Sequence, residues 1–179
     1  MTSTCSIYRP GLNRFAAFTA VTVLLLIGLG GLVTSYEAGM AVPDWPTTFG
    51  YNMFLFPVSQ WRGGVLFEHV HRLVASGVGV LTVLLALWMW RCEGRAWVRR
   101  LGWLAVLLVA AQSLLGGLRV TETNDQLGIA HAALAHVFLV LVSMIALVTS
   151  RTWLETSAPQ TPRVSPDGLT RIYCLLTSL

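Results

Sequence analysis

The sequence predicts an all-α protein: a transmembrane four-helix bundle made of two pseudo-symmetric helix–loop–helix units. Three observations lead there. Four apolar runs, at about 15–35, 65–90, 101–118 and 127–149, approach or exceed the roughly 20 helical residues that cross a bilayer. The chain is 55% hydrophobic and only 11% charged, where soluble domains carry about a quarter charged residues. A signature also recurs. Leu29-Gly-Gly-Leu-Val-Thr-Ser35 closes the first run and Leu115-Gly-Gly-Leu-Arg-Val-Thr121 the third. Each is followed by a loop and a run with an early histidine, His71 or His131.

Residues 1–14 are expected to be a cytoplasmic N-terminus. The first run has a longer apolar core than a secretory leader and no small-x-small cleavage site, so it reads as a retained helix. Arginine placement orients the bundle. Arg9 and Arg14 precede the first helix; Arg91, Arg95, Arg99 and Arg100 separate the second and third; Arg151, Arg163 and Arg171 follow the fourth. Only Arg62, Arg72 and Arg119 lie on the other side, so the N-terminus is expected to be cytoplasmic and loops 36–64 and 119–126 to face outward. A bacterial-type inner membrane is the expected location. The net charge of +4 is that same arginine excess and calls for no nucleic-acid partner.

The first outward loop reads as more than a connector. Pro43, Pro46 and Pro57 break regular structure, and Phe49, Tyr51, Met53, Phe54 and Phe56 suit a membrane interface. An aromatic belt accounts for those residues but not for Asp44 between Pro43 and Trp45, which suggests a lid over an outer-face cavity. After the fourth helix, 151–168 reads as a cytoplasmic linker and 169–179 as the start of a truncated fifth helix. Cys5, Cys92 and Cys174 are far apart and form neither a disulfide framework nor a zinc pattern.

The chemistry concentrates at Glu68-His69-Val70-His71-Arg72, where ionisable groups head an apolar helix and mark a functional site. Glu68, His71 and Arg72 share one helical face by their i, i+3 and i, i+4 spacing. His69 lies about 200° from His71, and His136 about 140° from His131, so one histidine per helix is expected to point inward. The repeat favours His71 and His131, leaving His69 and His136 as spare polar groups. Two imidazoles at equal depth suit the axial positions of a heme iron in a bundle core. Interhelix hydrogen bonding is the plainer alternative for the same pair. Arg72 either neutralises Glu68 or binds a heme propionate as a bidentate anion partner. Gln112 and Ser113 read as helix-packing contacts.

Taken together, Gly30-Gly-Leu-Val-Thr-Ser35, Ala38-Gly-Met-Ala-Val-Pro-Asp-Trp-Pro46, Glu68-x-x-His71-Arg72, Gly116-Gly-Leu-Arg-Val-Thr121 and Ile129-Ala-His131 resemble the heme A synthase family, in order, over about 15–150. The resemblance implies an eight-helix membrane oxidoreductase of two homologous halves that oxidises the C8 methyl of heme O to a formyl group. The product is heme A for cytochrome oxidase. This chain corresponds to the N-terminal, substrate-heme half, with His71 and His131 flanking the heme, Glu68 as the essential carboxylate and Arg72 at the cofactor. A heme b would belong to the other half. Heme O synthase, membrane lipid and a homo-oligomeric partner are the expected associates. Unlike many bacterial members, residues 36–64 contain no cysteine pair. Without the second half, the chain reads as a fragment inactive by itself, or as a half-length protein that dimerises. Two other functions use the same pattern: a bis-histidine membrane cytochrome b that carries electrons, and a heme-free assembly protein.

Overall fold

The computed structural model describes residues 8–157. The chain is a multi-pass membrane protein with four helices long and apolar enough to span: α1 (Pro10–Ser35), α2 (Gly63–Cys92), α3 (Ala96–Thr121) and α4 (Asp125–Val148). A short helix α5 (Arg151–Ser157) follows, so the first part of the expected 151–168 linker is helical. The segment expected to begin a fifth helix, 169–179, lies outside the described residues, as do 1–7 and 158–168.

The helices run up and down in a closed ring, α1 against α2 and α4, α3 against α2 and α4. Short turns force this order: three residues (93–95) join α2 to α3, and three (122–124) join α3 to α4. The helices overrun the apolar stretches because their polar end turns continue the backbone hydrogen bonding past the hydrocarbon. Pro10 starts α1, where a missing N–H costs nothing. The Asn124 side chain caps α4 by accepting from Gln126 N–H at 2.9 Å. Only 22–28% of each apolar window is buried within the protein, so Leu24, Leu25, Val80, Leu107 and Val140 face outward, as lipid contact requires.

The two units end their first helices alike. Ala38 N–H donates to Val33 O at 2.8 Å, and Asn124 N–H to Arg119 O at 3.1 Å. Glu37 (φ 51°) and Thr123 (φ 48°) take the left-handed position that glycine usually fills in this cap.

The two ends of the bundle are packed differently. At the end carrying the helix α4–α5 junction, Leu12, Ala16, Leu85, Met89, Val98, Val142, Ile145 and Val148 fill the interior. Gly102 lets α3 close on α2, and Asn13 ties α1 to α4 through Ala146 O at 2.6 Å. At the other end, where residues 36–62 cross the bundle, the interior is open.

Candidate functional site

The open end holds a cavity of about 360 Å³, walled by all four spanning helices and by Gly39, Trp45 and Met53 of the loop. Small residues make it wide: Gly30 and Gly31 on α1, Ala75 and Ser76 on α2, Gly116 and Gly117 on α3, Gly128, Ala132 and Ala135 on α4.

His71 and His131 both border this cavity. Each imidazole rests on the first glycine of the preceding helix's Gly-Gly pair. A Cβ on Gly30 would lie 3.2 Å from His71 Cε1, and one on Gly116 would lie 3.2 Å from His131 Cε1. The repeat thus builds the same histidine seat twice. His131 Nδ1 is 3.1 Å from the carbonyl oxygen of Gln112, an acceptor only. That bond places the ring proton on Nδ1 and leaves Nε2 with a free lone pair, the form in which histidine ligates a metal. His71 Nδ1 is buried without a partner.

His69 is fully buried away from the cavity, beneath the loop. Phe56 and Trp61 enclose it at ring-centroid distances of 5.1 and 4.7 Å, and Thr48 Oγ1 is 3.4 Å from Nδ1. His136 differs from expectation. Although about 140° from His131 around the helix, it also borders the cavity, with Nδ1 2.8 Å from Ala132 O. The small side chains of α4 leave more than one helical face open.

Glu68 is buried on the cavity wall, with both carboxylate oxygens engaged. Oε2 accepts from Val42 N–H at 2.9 Å, and Oε1 accepts from Arg72 Nη2 at 2.5 Å. Arg72 also borders the cavity, but its terminal nitrogens already make four hydrogen bonds to protein oxygens. Besides Glu68, they donate to the carbonyls of Val42 (2.9 Å), Asp44 (2.6 Å) and Thr47 (3.1 Å). Arg72 therefore clamps the loop to α2.

Asp44 braces the same loop from within. Its carboxylate accepts from Phe49 N–H at 2.7 Å, from Gly50 N–H at 2.9 Å and from the Thr47 hydroxyl. Burial alone would raise its pKa, but these donors outweigh burial and hold it below the usual carboxylate range. Asp44 itself does not line the cavity. Its neighbour Trp45 does, packed so closely on Gly117 that a Cβ there would meet Trp45 Cε2 at 2.7 Å.

Two cavity residues carry more than sequence reading assigned them. Gln112 is a helix-packing contact in that reading, yet its carbonyl holds His131, and its buried side-chain Oε1 has no partner. Arg119 counts there only as a charge outside the membrane, yet it lines the cavity. Its signal was available: the repeat has Val33 where Arg119 stands. Among the described residues, no three His, Cys, Asp or Glu side chains gather around a common point.

The chain is similar to the heme A synthase of Shouchella clausii, 34% identical over 146 residues, covering 78% of this chain and 47% of that protein. It is similar to the heme A synthase of Brucella anthropi, 35% identical over 140 residues, covering 73% of this chain and 38% of that protein. A third relative is the protoheme IX farnesyltransferase of Haloarcula marismortui, 34% identical over 118 residues, covering 66% of this chain and 24% of that protein. No family model matches the chain. No solved structure matches it either. The chain spans about half the length, or less, of these curated relatives. Across its four-helix unit, this chain is a relative of the heme A synthases.

Proposed function

We propose that this chain forms the substrate-heme half of a heme A synthase, the N-terminal half by family resemblance, and that it presents the C8 methyl of heme O for oxidation to a formyl group. One observation carries the reading: His71 and His131, from equivalent positions of the two units, border one cavity on matching glycine seats. Small residues on all four helices leave open space bordered by both imidazoles, and the free Nε2 of His131 suits a heme iron. The orientation follows from arginine placement, with the loop end of the bundle outward and the N-terminus cytoplasmic in a bacterial inner membrane.

Within this reading the chain's own groups divide the work. His71 and His131 hold the substrate iron and fix the ring's depth. Glu68 stands on the cavity wall with a fixed negative charge. As the methyl is oxidised, positive character develops on that carbon, and a preorganised carboxylate in a low-dielectric site stabilises it. Arg72 holds Glu68 in place, and Trp45 closes the loop over the cavity and limits water. A heme b in the other half supplies redox chemistry when bound, by family resemblance. A bis-histidine electron carrier would use the same imidazoles, but it has no use for a carboxylate on the heme wall.

Expression with a source of heme O, followed by purification and pigment analysis, tests the proposal. A bound low-spin heme with a sharp Soret band is expected. A chain that folds but takes up no heme would refute it. With the second half supplied, Glu68→Ala is expected to retain heme and lose heme A formation. Undiminished heme A would remove Glu68 from the reaction.

A further inference from the structure

We infer that Arg119 is the binding residue for a carboxylate on the cavity's ligand, a propionate if the ligand is heme. The inference rests on the proposed function and adds to it the group that orients the ring.

Four observations meet at this side chain. It lines the cavity at the loop end of α3, and its Nε is buried with no hydrogen-bond partner. Its only carboxylate neighbour among the described residues, Asp125, is 3.8 Å away and 87% exposed. Its position is built rather than incidental. A Cβ on Gly39 would lie 3.0 Å from both terminal nitrogens, and one on Gly128 would lie 2.7 Å from Nε. Two glycines from different elements thus form a slot that only the absence of side chains leaves open. Finally, the other cavity arginine is taken, since Arg72 is bonded to Glu68 and three loop carbonyls.

The charges on the wall then leave one cation over. Glu68 has Arg72 as its partner, and Arg119 remains a guanidinium with no buried counter-ion among the described residues, facing a largely apolar space. A planar fork of N–H donors matches a carboxylate or a phosphate bidentately, and heme offers carboxylates. Heme carries its two propionates along one edge, and the C8 methyl shares its pyrrole with one of them. A propionate held at Arg119 therefore turns that edge toward the loop end, where Glu68 also stands. The C5 methyl shares its pyrrole with the other propionate, so Arg119 would set which edge of the ring, with its C5 and C8 methyls, faces the carboxylate.

The test is a titration of the purified chain in detergent with protoheme and with its dimethyl ester, followed at the Soret band. The wild type is expected to bind the free acid ~10- to 100-fold more tightly than the diester, the range of a charge-assisted hydrogen-bond pair. Arg119→Gln is expected to lower free-acid affinity to that of the ester and to leave ester binding unchanged. Ester binding also reports that the variant cavity is folded. Arg119→Lys, which keeps the charge without the fork, should fall between. Equal affinity of the wild type for acid and ester would overturn the assignment, as would unchanged acid binding by Arg119→Gln; either result leaves the heme reading standing. Failure of the wild type to bind either form would overturn the heme reading and this inference together.

Discussion

The two helix–loop–helix units share a histidine seat and differ in almost everything charged around it. Gly30 cradles His71 and Gly116 cradles His131, and a Cβ on either glycine would lie 3.2 Å from the ring. Three residues before His71 stands Glu68; three before His131 stands Gly128. Arg72 follows His71, while Ala132 follows His131. The preceding helix carries Val33 in one unit and Arg119 in the other. One unit joins its helices through residues 36–62, the other through 122–124. What the repeat preserves is a pair of imidazoles bordering one cavity. What it has varied is the surrounding charge, so that the two sides of the cavity differ; in the proposed reading, that difference gives a bound ring a defined orientation.

Breaking the ion pairs should separate the units most clearly. Arg72→Met leaves Glu68 as an uncompensated buried charge and three loop carbonyls without their donor. About 3–5 kcal/mol of destabilisation is expected from thermal unfolding in detergent. Arg119→Met breaks only a 3.8 Å contact with an exposed carboxylate, and should change stability by no more than about 1 kcal/mol. Similar large losses in both variants would erase the distinction between clamp and ligand-binding arginine.

The glycines that follow the histidine seats also differ between the units. A methyl on Gly117 runs into the Trp45 ring, whereas one on Gly31 meets nothing within 4 Å. Gly117→Ala should cost about 1–3 kcal/mol and loosen the loop, while Gly31→Ala should be near neutral. Protease cleavage within 36–62 would report the loop directly. Equal cleavage in the two variants would dissociate Trp45 from loop closure.

Acid should loosen the loop of the first unit. The folded pKa of Asp44 is depressed, so its contribution to stability is complete above the ordinary carboxylate pKa. It is lost as pH falls through the lower, folded value. Loop cleavage should rise only in that acid range, and Asp44→Asn should show the open-loop behaviour already at neutral pH. A loop in Asp44→Asn as protected as the wild type would contradict the bracing role.

The smallest difference expected is none. Glu37 and Thr123 hold matching left-handed caps, so Glu37→Gly and Thr123→Gly should shift stability equally, within about 1 kcal/mol. Unequal shifts would show that the units' caps are not equivalent.

Features that depend on local pattern were legible in the sequence. Apolar runs of bilayer length yield the four helices, and the Gly-Gly repeat pairs His71 with His131. Helical phase alone removes His69 from the cavity, and the structure puts it under the loop with Phe56 and Trp61. Features that depend on long-range contact were not. Asp44 stood out as an anomaly, but the return of Phe49 and Gly50 N–H groups to it cannot be read from composition. The charged departure of Arg119 from Val33 in the repeat is visible in the sequence, but its slot between Gly39 and Gly128, which are distant in sequence, is not. Phase also misjudged His136, because it gives a direction and not the width of the space faced.

Two histidines, one per unit, meet in one cavity. The absorption spectrum of the heme-loaded chain in His71→Ala, His131→Ala and His136→Ala tests that most directly. The low-spin six-coordinate spectrum should be lost in each of the first two and kept in the third. A low-spin spectrum that survives His71→Ala or His131→Ala, or that disappears in His136→Ala alone, would contradict it.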